Sequence, residues 1–258
     1  GRIRARDVEA AIAASAAAPR STAPASDAPA AGERRAATSM EKTVARRMAR
    51  AKQTIPHFYV LAEADVTDLL KLRDDLNAME GFARISVNHL VMAAVGRAIV
   101  RMPEINVVWD EDAVVQLAGS DVGMAVDTGR GLLAPVVRDA GGRPLDALAH
   151  DVNALVERAR AGQLSGDDLA GGAIAVSNVG MHGVSHLVAI INPGQSAILG
   201  VAAIKPVFRP DAEARPTLRQ EIGLVLSCDH RVHNGVAAAR FLDCVTGILQ
   251  HPLSLLRG

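Results

Sequence analysis

The chain has 258 residues, 49% of them apolar, and its 28 Lys and Arg residues balance its 28 Asp and Glu residues. That length allows one core of roughly 200 residues or two small domains. Neutral charge and only 2% aromatic residues argue against a chain that wraps nucleic acid or stacks bases. Two cysteines, Cys228 and Cys244, are too few for a disulfide framework and fit a reducing compartment.

The start of the chain, GRIRARDVEAAIAA, carries Asp7 as a helix cap, with Val8 and Ile12 one turn apart. A single helix without a partner suggests the tail of a truncated domain, so the chain is expected to be a piece of a longer protein. Residues 14–38 are Ala, Pro, Ser and Thr with almost no large apolar side chain. Such a segment cannot bury enough surface to offset its chain entropy and is expected to be a linker, stiffened by Pro19, Pro24 and Pro29. Residues 1–52 hold 11 basic and 5 acidic residues, net +6. That basic arm could meet an acidic partner surface or nucleic acid, or it could simply be a solvated linker and helix face.

From Thr38 the pattern is dense α/β. Thr38 and Glu41 have capping-box spacing ahead of a helix through Lys52, with Pro56 beyond it. HFYVLAEADV alternates as a strand does. Leu69, Leu72, Leu76 and Met79 form a helical stripe ended by Gly81. Ser86 precedes a helix apolar nearly all round, hence buried. Short strands are predicted near 106–109, 113–118, 121–127 and 132–137. A helix over 144–161 stops at Gly162. Strands follow near 173–177, 187–191, 196–202 and 221–227, and a last helix runs from Gly235 to Gln250. Leu169 to Ile204 contains no Asp, Glu, Lys or Arg. Ser177, Asn178, His182, Asn192, Pro193 and Gln195 interrupt it, so it does not hold the roughly 20 apolar residues of a membrane span. The fold class is therefore α/β, with a mixed sheet and helices packed on one face.

Two polar islands could carry chemistry. In LVLSCDHRVHNG, residues 224–235, Asp229, His230, Arg231, His233 and Asn234 crowd where a strand hands over to a helix. A helix N-terminus disfavours imidazolium, as suits a general base at His230, and Asn234 lies one turn on. A capped turn with a structural histidine accounts for the motif equally well. His230 and His233 at i and i+3 invite a metal, but a catalytic zinc usually has three protein ligands and neither H-E-x-x-H nor a Cys pair is present, so no metal is expected. In GGAIAVSNVGMHGV, residues 171–184, Ser177 could donate to a developing oxyanion, or the segment could be plain turn chemistry. The serine-hydrolase G-x-S-x-G and the P-loop motif are both missing.

Together these islands resemble the catalytic domain of the dihydrolipoamide acyltransferases, core components of 2-oxo acid dehydrogenase complexes, and most resemble the pyruvate-complex branch. DHRVHNG is similar to that family's D-H-R-x-x-[DN]-G, and AVSNVGMHGVSHLVAIINPGQSAILGV to its second signature. KQTIPHFYV (52–60) and GMAVDTGRGLLAPVV (123–137) resemble two further stretches. GRIRARDVEAAI resembles the second half of a peripheral-subunit-binding domain. The resemblance implies three segments: 1–13 as that binding-domain piece, 14–38 as linker, and 39–258 as acyltransferase domain.

It further implies a chloramphenicol acetyltransferase-like, coenzyme A-dependent acyltransferase fold. Homotrimers would assemble into a larger cubic or icosahedral core, with an active site at the subunit interface reached by coenzyme A and by lipoyl-lysine. By the resemblance, His230 is the general base, Ser177 the oxyanion donor and Asn234 an orienting hydrogen-bond partner. Arg130, in a Gly-Arg-Gly turn, is a weak candidate for the coenzyme A phosphates. His233 is a departure, since relatives often have an aliphatic residue there. No lipoylation-type DKA segment occurs in the chain, so the lipoyl group is expected on a domain absent from it. The implied partners are that lipoyl domain, a 2-oxo acid decarboxylase-dehydrogenase component and dihydrolipoamide dehydrogenase, with no nucleic acid and no membrane. The implied compartment is the cytoplasm of a bacterium or the mitochondrial matrix. Acetyl is the expected acyl group; branched-chain, succinyl or acetoin-derived groups, and a catalytically silent scaffold, stay open.

Overall fold

The structure is a computed structural model that describes Ala5, Arg6, Val8, Glu9 and residues 35–129 and 131–256. The chain divides into two units, residues 1–38 and 39–258. In the first, Ala5, Arg6, Val8 and Glu9 are helical and exposed. The linker expected over 14–38 falls almost wholly outside the described residues, as does Arg130.

The second unit is built on a six-stranded mixed sheet in the order β1-β10-β9-β8-β4-β7. These strands are β1 (His57–Asp65), β4 (Val122–Met124), β7 (Val136–Val137), β8 (Ile174–Asn178), β9 (Ala197–Pro210) and β10 (Pro216–Asp229). β8 runs parallel to both β4 and β9, and the other pairings are antiparallel. Two small ribbons accompany the sheet: β2 (Val107–Asp110) with β3 (Ala113–Gln116), and β5 (Val126–Asp127) with β6 (Leu132–Leu133).

The helices are α1 (Ser39–Thr54), α2 (Thr67–Ala78), α3 (Val87–Arg101), α4 (Leu145–Ala161) and α5 (Gly235–Gln250). The start of α3 and the end of α4 have the local causes read from the sequence. Ser86 caps α3, its hydroxyl accepting from the His89 N–H while His89 Nδ1 accepts from the Ser86 N–H. Gly162, at φ 73°, ends α4 in the left-handed region. Asn234 caps α5.

One large core joins the inward residues of β1, β4, β8, β9 and β10 to α2, α3, α4 and α5, with Phe241, Leu90, Leu148, Leu199 and Leu224 fully buried. The opposite sheet face carries a smaller cluster, Ala51 and Ile55 at the end of α1 with Ala175, Ile191 and Ile198.

The expected strand at 187–191 does not form. The segment crosses over the sheet instead of pairing along it: Ser227 Oγ donates to the Ala189 carbonyl, and the Ile191 N–H donates to His57 Nε2. Two glycines make room for this. A Cβ on Gly200 would lie 2.1 Å from the Leu187 carbonyl oxygen, and one on Gly223 2.4 Å from that of Ser185. The other strands predicted in this region exist but run further, to Pro210 and back from Pro216. This solvated hairpin tip is bound by cross-strand charge: Arg209 is 2.8 Å from both Glu221 and Glu63.

Candidate active site

β10 ends at Asp229 and α5 begins at Gly235, leaving a short turn between two rigid elements. The His230 N–H donates to the Pro56 carbonyl at 3.0 Å, which ties the turn to the start of β1. The His230 side chain is exposed, with the Phe58 ring 4.5 Å away between centroids and tilted by 47°. Phe58 thus limits the rotations open to the imidazole, a contact with no cue in the local sequence.

Asp229 and Arg231 flank the histidine as an ion pair. The Asp229 carboxylate, 1% exposed, accepts from Arg231 Nη2 at 2.6 Å, from Nε at 3.0 Å and from the Arg231 backbone N–H at 3.0 Å. The guanidinium also lies 5.4 Å from the Trp109 ring centroid in β2, within cation–π range.

His233 points the other way, into the core. It is 4% exposed, and its Nε2 lies 2.9 Å from Ser196 Oγ. Burial pushes its pKa down to about 4, against an opposing pull from Asp229, so the ring is neutral at pH 7. That neutral ring replaces the aliphatic filler expected there with a hydrogen-bonded one. Asn234 spends the carbonyl end of its amide on the helix cap, accepting from the Ala237 N–H at 2.9 Å. The NH₂ end is what it has left to offer a ligand.

Ser177 stands half-buried near the end of β8, beside Asn178, whose Oδ1 accepts from the Gly180 N–H at 2.9 Å. The register places it far from His230. Ser177 pairs with Gly200, and Gly200 pairs with Val225. His230 therefore lies two strands across and five residues along, roughly 15–20 Å away at ordinary strand spacings. Within one copy of the chain, His230 and Asn234 share a turn and Ser177 does not join them.

A cleft of about 790 Å³ opens elsewhere, between α2, the end of α3 and the C-terminal turn, lined by Lys71, Arg97, Arg101, His251 and Leu253 among others; none of Ser177, His230 and Asn234 lines it. Among the described residues no three His, Cys, Asp or Glu side chains gather as a metal-ligand set, and no helix is long and apolar enough to cross a membrane.

Residues 29–257 match the family described as 2-oxoacid dehydrogenases acyltransferase (catalytic domain). The chain belongs to that family. It is 34% identical over 223 residues to the dihydrolipoyllysine-residue acetyltransferase component of the pyruvate dehydrogenase complex of Rickettsia conorii, covering 84% of this chain and 53% of that one. The chain spans about half the length of the curated relatives it matches, which are bacterial and mitochondrial proteins.

Two solved structures superpose closely. One belongs to a crystallographic and enzymatic study of a serine, a histidine and an asparagine in the catalytic mechanism of Azotobacter vinelandii dihydrolipoamide acetyltransferase; its TM-score is 0.81 at 30% identity, covering 87% of this chain and 93% of that one. The other is the cubic core of a pyruvate dehydrogenase multienzyme complex, with TM-score 0.81 at 30% identity over 90% and 98% of the two chains. A chloramphenicol acetyltransferase shares the fold alone, with TM-score 0.50 at 12% identity over 82% of this chain and 94% of that one. The acyltransferase-type mixed sheet expected from the motifs is therefore the fold of this family member.

Proposed function

We propose that the chain transfers an acetyl group between the thiol of dihydrolipoamide and coenzyme A, as the core of a pyruvate dehydrogenase-type complex. The observation that carries this reading is the spacing of Ser177, His230 and Asn234. In the Azotobacter enzyme the histidine and asparagine are four residues apart and the serine stands 52 before the histidine. Here the separations are four and 53.

His230 takes the proton from the attacking thiol, and the thiolate adds to the thioester carbonyl. Ser177 donates to the tetrahedral oxyanion, an interaction worth about 10²-fold or more in rate. The carbon–sulfur bond to the leaving thiol then breaks, and that sulfur takes the proton back from His230. Asn234 orients a reacting group through its NH₂ end and can contribute no charge. The separation of Ser177 from His230 within one chain supports a site completed by a second copy, in keeping with the trimer that the family resemblance implies. The match to a cubic core supports further assembly of such trimers.

On this reading the lipoyl group arrives on a separate domain. The complex also includes a 2-oxo acid decarboxylase-dehydrogenase component and dihydrolipoamide dehydrogenase. The compartment is bacterial cytoplasm or mitochondrial matrix. Arg130, the candidate for the coenzyme A phosphates, lies outside the described residues.

The test is steady-state acetyl transfer from acetyl-coenzyme A to dihydrolipoamide by wild type and His230→Ala. Loss of the base is expected to lower the rate by about 10³-fold. Equal rates would remove His230 from the mechanism. Wild-type turnover with isobutyryl or succinyl but not acetyl would move only the acyl assignment. Inactivity with all three in a particle that still assembles would leave a scaffold.

A further inference from the structure

We infer that His233 is a positioning residue for His230, acting through a clamp that Ser196 closes on the turn between them. The inference rests on the reading of His230 as the base and adds to it the device that holds the base still. Ser196 is fully buried and immediately precedes β9. Its carbonyl accepts the Asp229 N–H at 2.8 Å, and its hydroxyl lies 2.9 Å from His233 Nε2. One residue therefore grips the turn at both ends, through its backbone at residue 229 and through its side chain at residue 233.

Ser196 is itself anchored, since its own N–H donates to the Ala173 carbonyl at 2.9 Å at the foot of β8. The His233 N–H closes the loop onto the Asp229 carbonyl at 3.0 Å. His230 lies inside this closed turn with its N–H on Pro56, so its backbone is fixed on both sides. The Ser196 hydroxyl also reaches the Ala173 carbonyl, at a longer 3.4 Å. An apolar side chain at 233 could fill the same space, but it would leave that hydroxyl only the long contact and this end of the turn held by shape alone.

The test uses the assembled chain and the acetyl-transfer assay, reading kcat and KM separately for His233→Ile, His233→Gln, Ser196→Ala and the S196A/H233I pair. His233→Ile and Ser196→Ala each delete the bond from one side. Each is expected to lower kcat about tenfold, with both KM values within about twofold, because a displaced base slows the chemical step more than binding. His233→Gln keeps a polar group within reach of Ser196 and is expected to hold kcat within about threefold. The pair removes the same bond that each single variant removes, so its loss is expected to match the worse single variant instead of the product of the two.

Wild-type kcat in both single variants, an equal loss in His233→Gln, or multiplicative losses in the pair would each overturn the clamp. If His233→Ile does not fold, Ser196→Ala decides alone, since it deletes one oxygen. His230→Ala keeps the two ideas apart. Full activity there removes the base; a thousandfold loss there with Ser196→Ala at wild-type kcat keeps the base and removes the clamp.

Discussion

Replacing Arg231 by Met tests how much the turn depends on its ion pair. The substitution keeps an apolar stem of similar length against Trp109 but strands the Asp229 carboxylate, which is 1% exposed and accepts three of its contacts from Arg231 side-chain nitrogens. Breaking a buried pair by removing one partner costs about 3–5 kcal/mol. The Arg231 side chain is 30% exposed, so water reaches part of the site, and we discount the cost to roughly 2 kcal/mol. For a domain of this size each kcal/mol lowers Tm by about 2–4 °C, so a drop of roughly 4–8 °C is expected. Calorimetry at fixed protein concentration is the assay, because oligomerisation would otherwise move the midpoint. The D229N/R231M pair removes the stranded charge and is expected to recover at least about half of the loss. A Tm for Arg231→Met within about 1 °C of wild type, or no recovery in the pair, would refute the argument.

Two further outcomes follow from the same geometry. Gly200→Ala places a methyl carbon against the Leu187 carbonyl, a contact that no rotamer change relieves; it is expected to destabilise by about 1–3 kcal/mol or more and to lower the urea midpoint, and an unchanged midpoint would mean that the 184–192 segment moves freely. The pH dependence of stability carries the signature of His233. Its pKa falls from 6.5 to about 4 on folding, so the unfolded chain binds the proton first: the contribution is complete above pH 6.5 and is lost as pH falls toward 4, about 3 kcal/mol in all. His233→Gln is expected to flatten the fall in Tm between those values, and parallel curves for the two proteins would exclude the assignment.

Much of this molecule was legible in local sequence. Helix starts and stops rest on contacts a few residues long, and Ser86 and Gly162 act where their neighbours predicted. The buried helix α3 follows from apolar residues on every face, since such a surface has nowhere else to go. The two polar islands stood out because polar groups at strand ends require partners or a task. The stretch at 187–191 misled because its apolar residues suit either a paired strand or a segment laid across a sheet. Glycines 200 and 223, distant in sequence, make the second arrangement possible.

His233 marks the limit most clearly. From sequence it was a departure without a role, because the partner that explains it, Ser196, lies 37 residues away in the other signature stretch, with nothing in its neighbours to tie it to residue 233. Its neutrality follows from burial, which is a property of the whole core. The relation between Ser177 and His230 has the same origin. By itself the sequence determined most of the elements, the polar islands and the family signature, all of them set by near neighbours. Strand order and register are long-range pairings, and only they decided that the two residues stand two strands across and five residues along from one another.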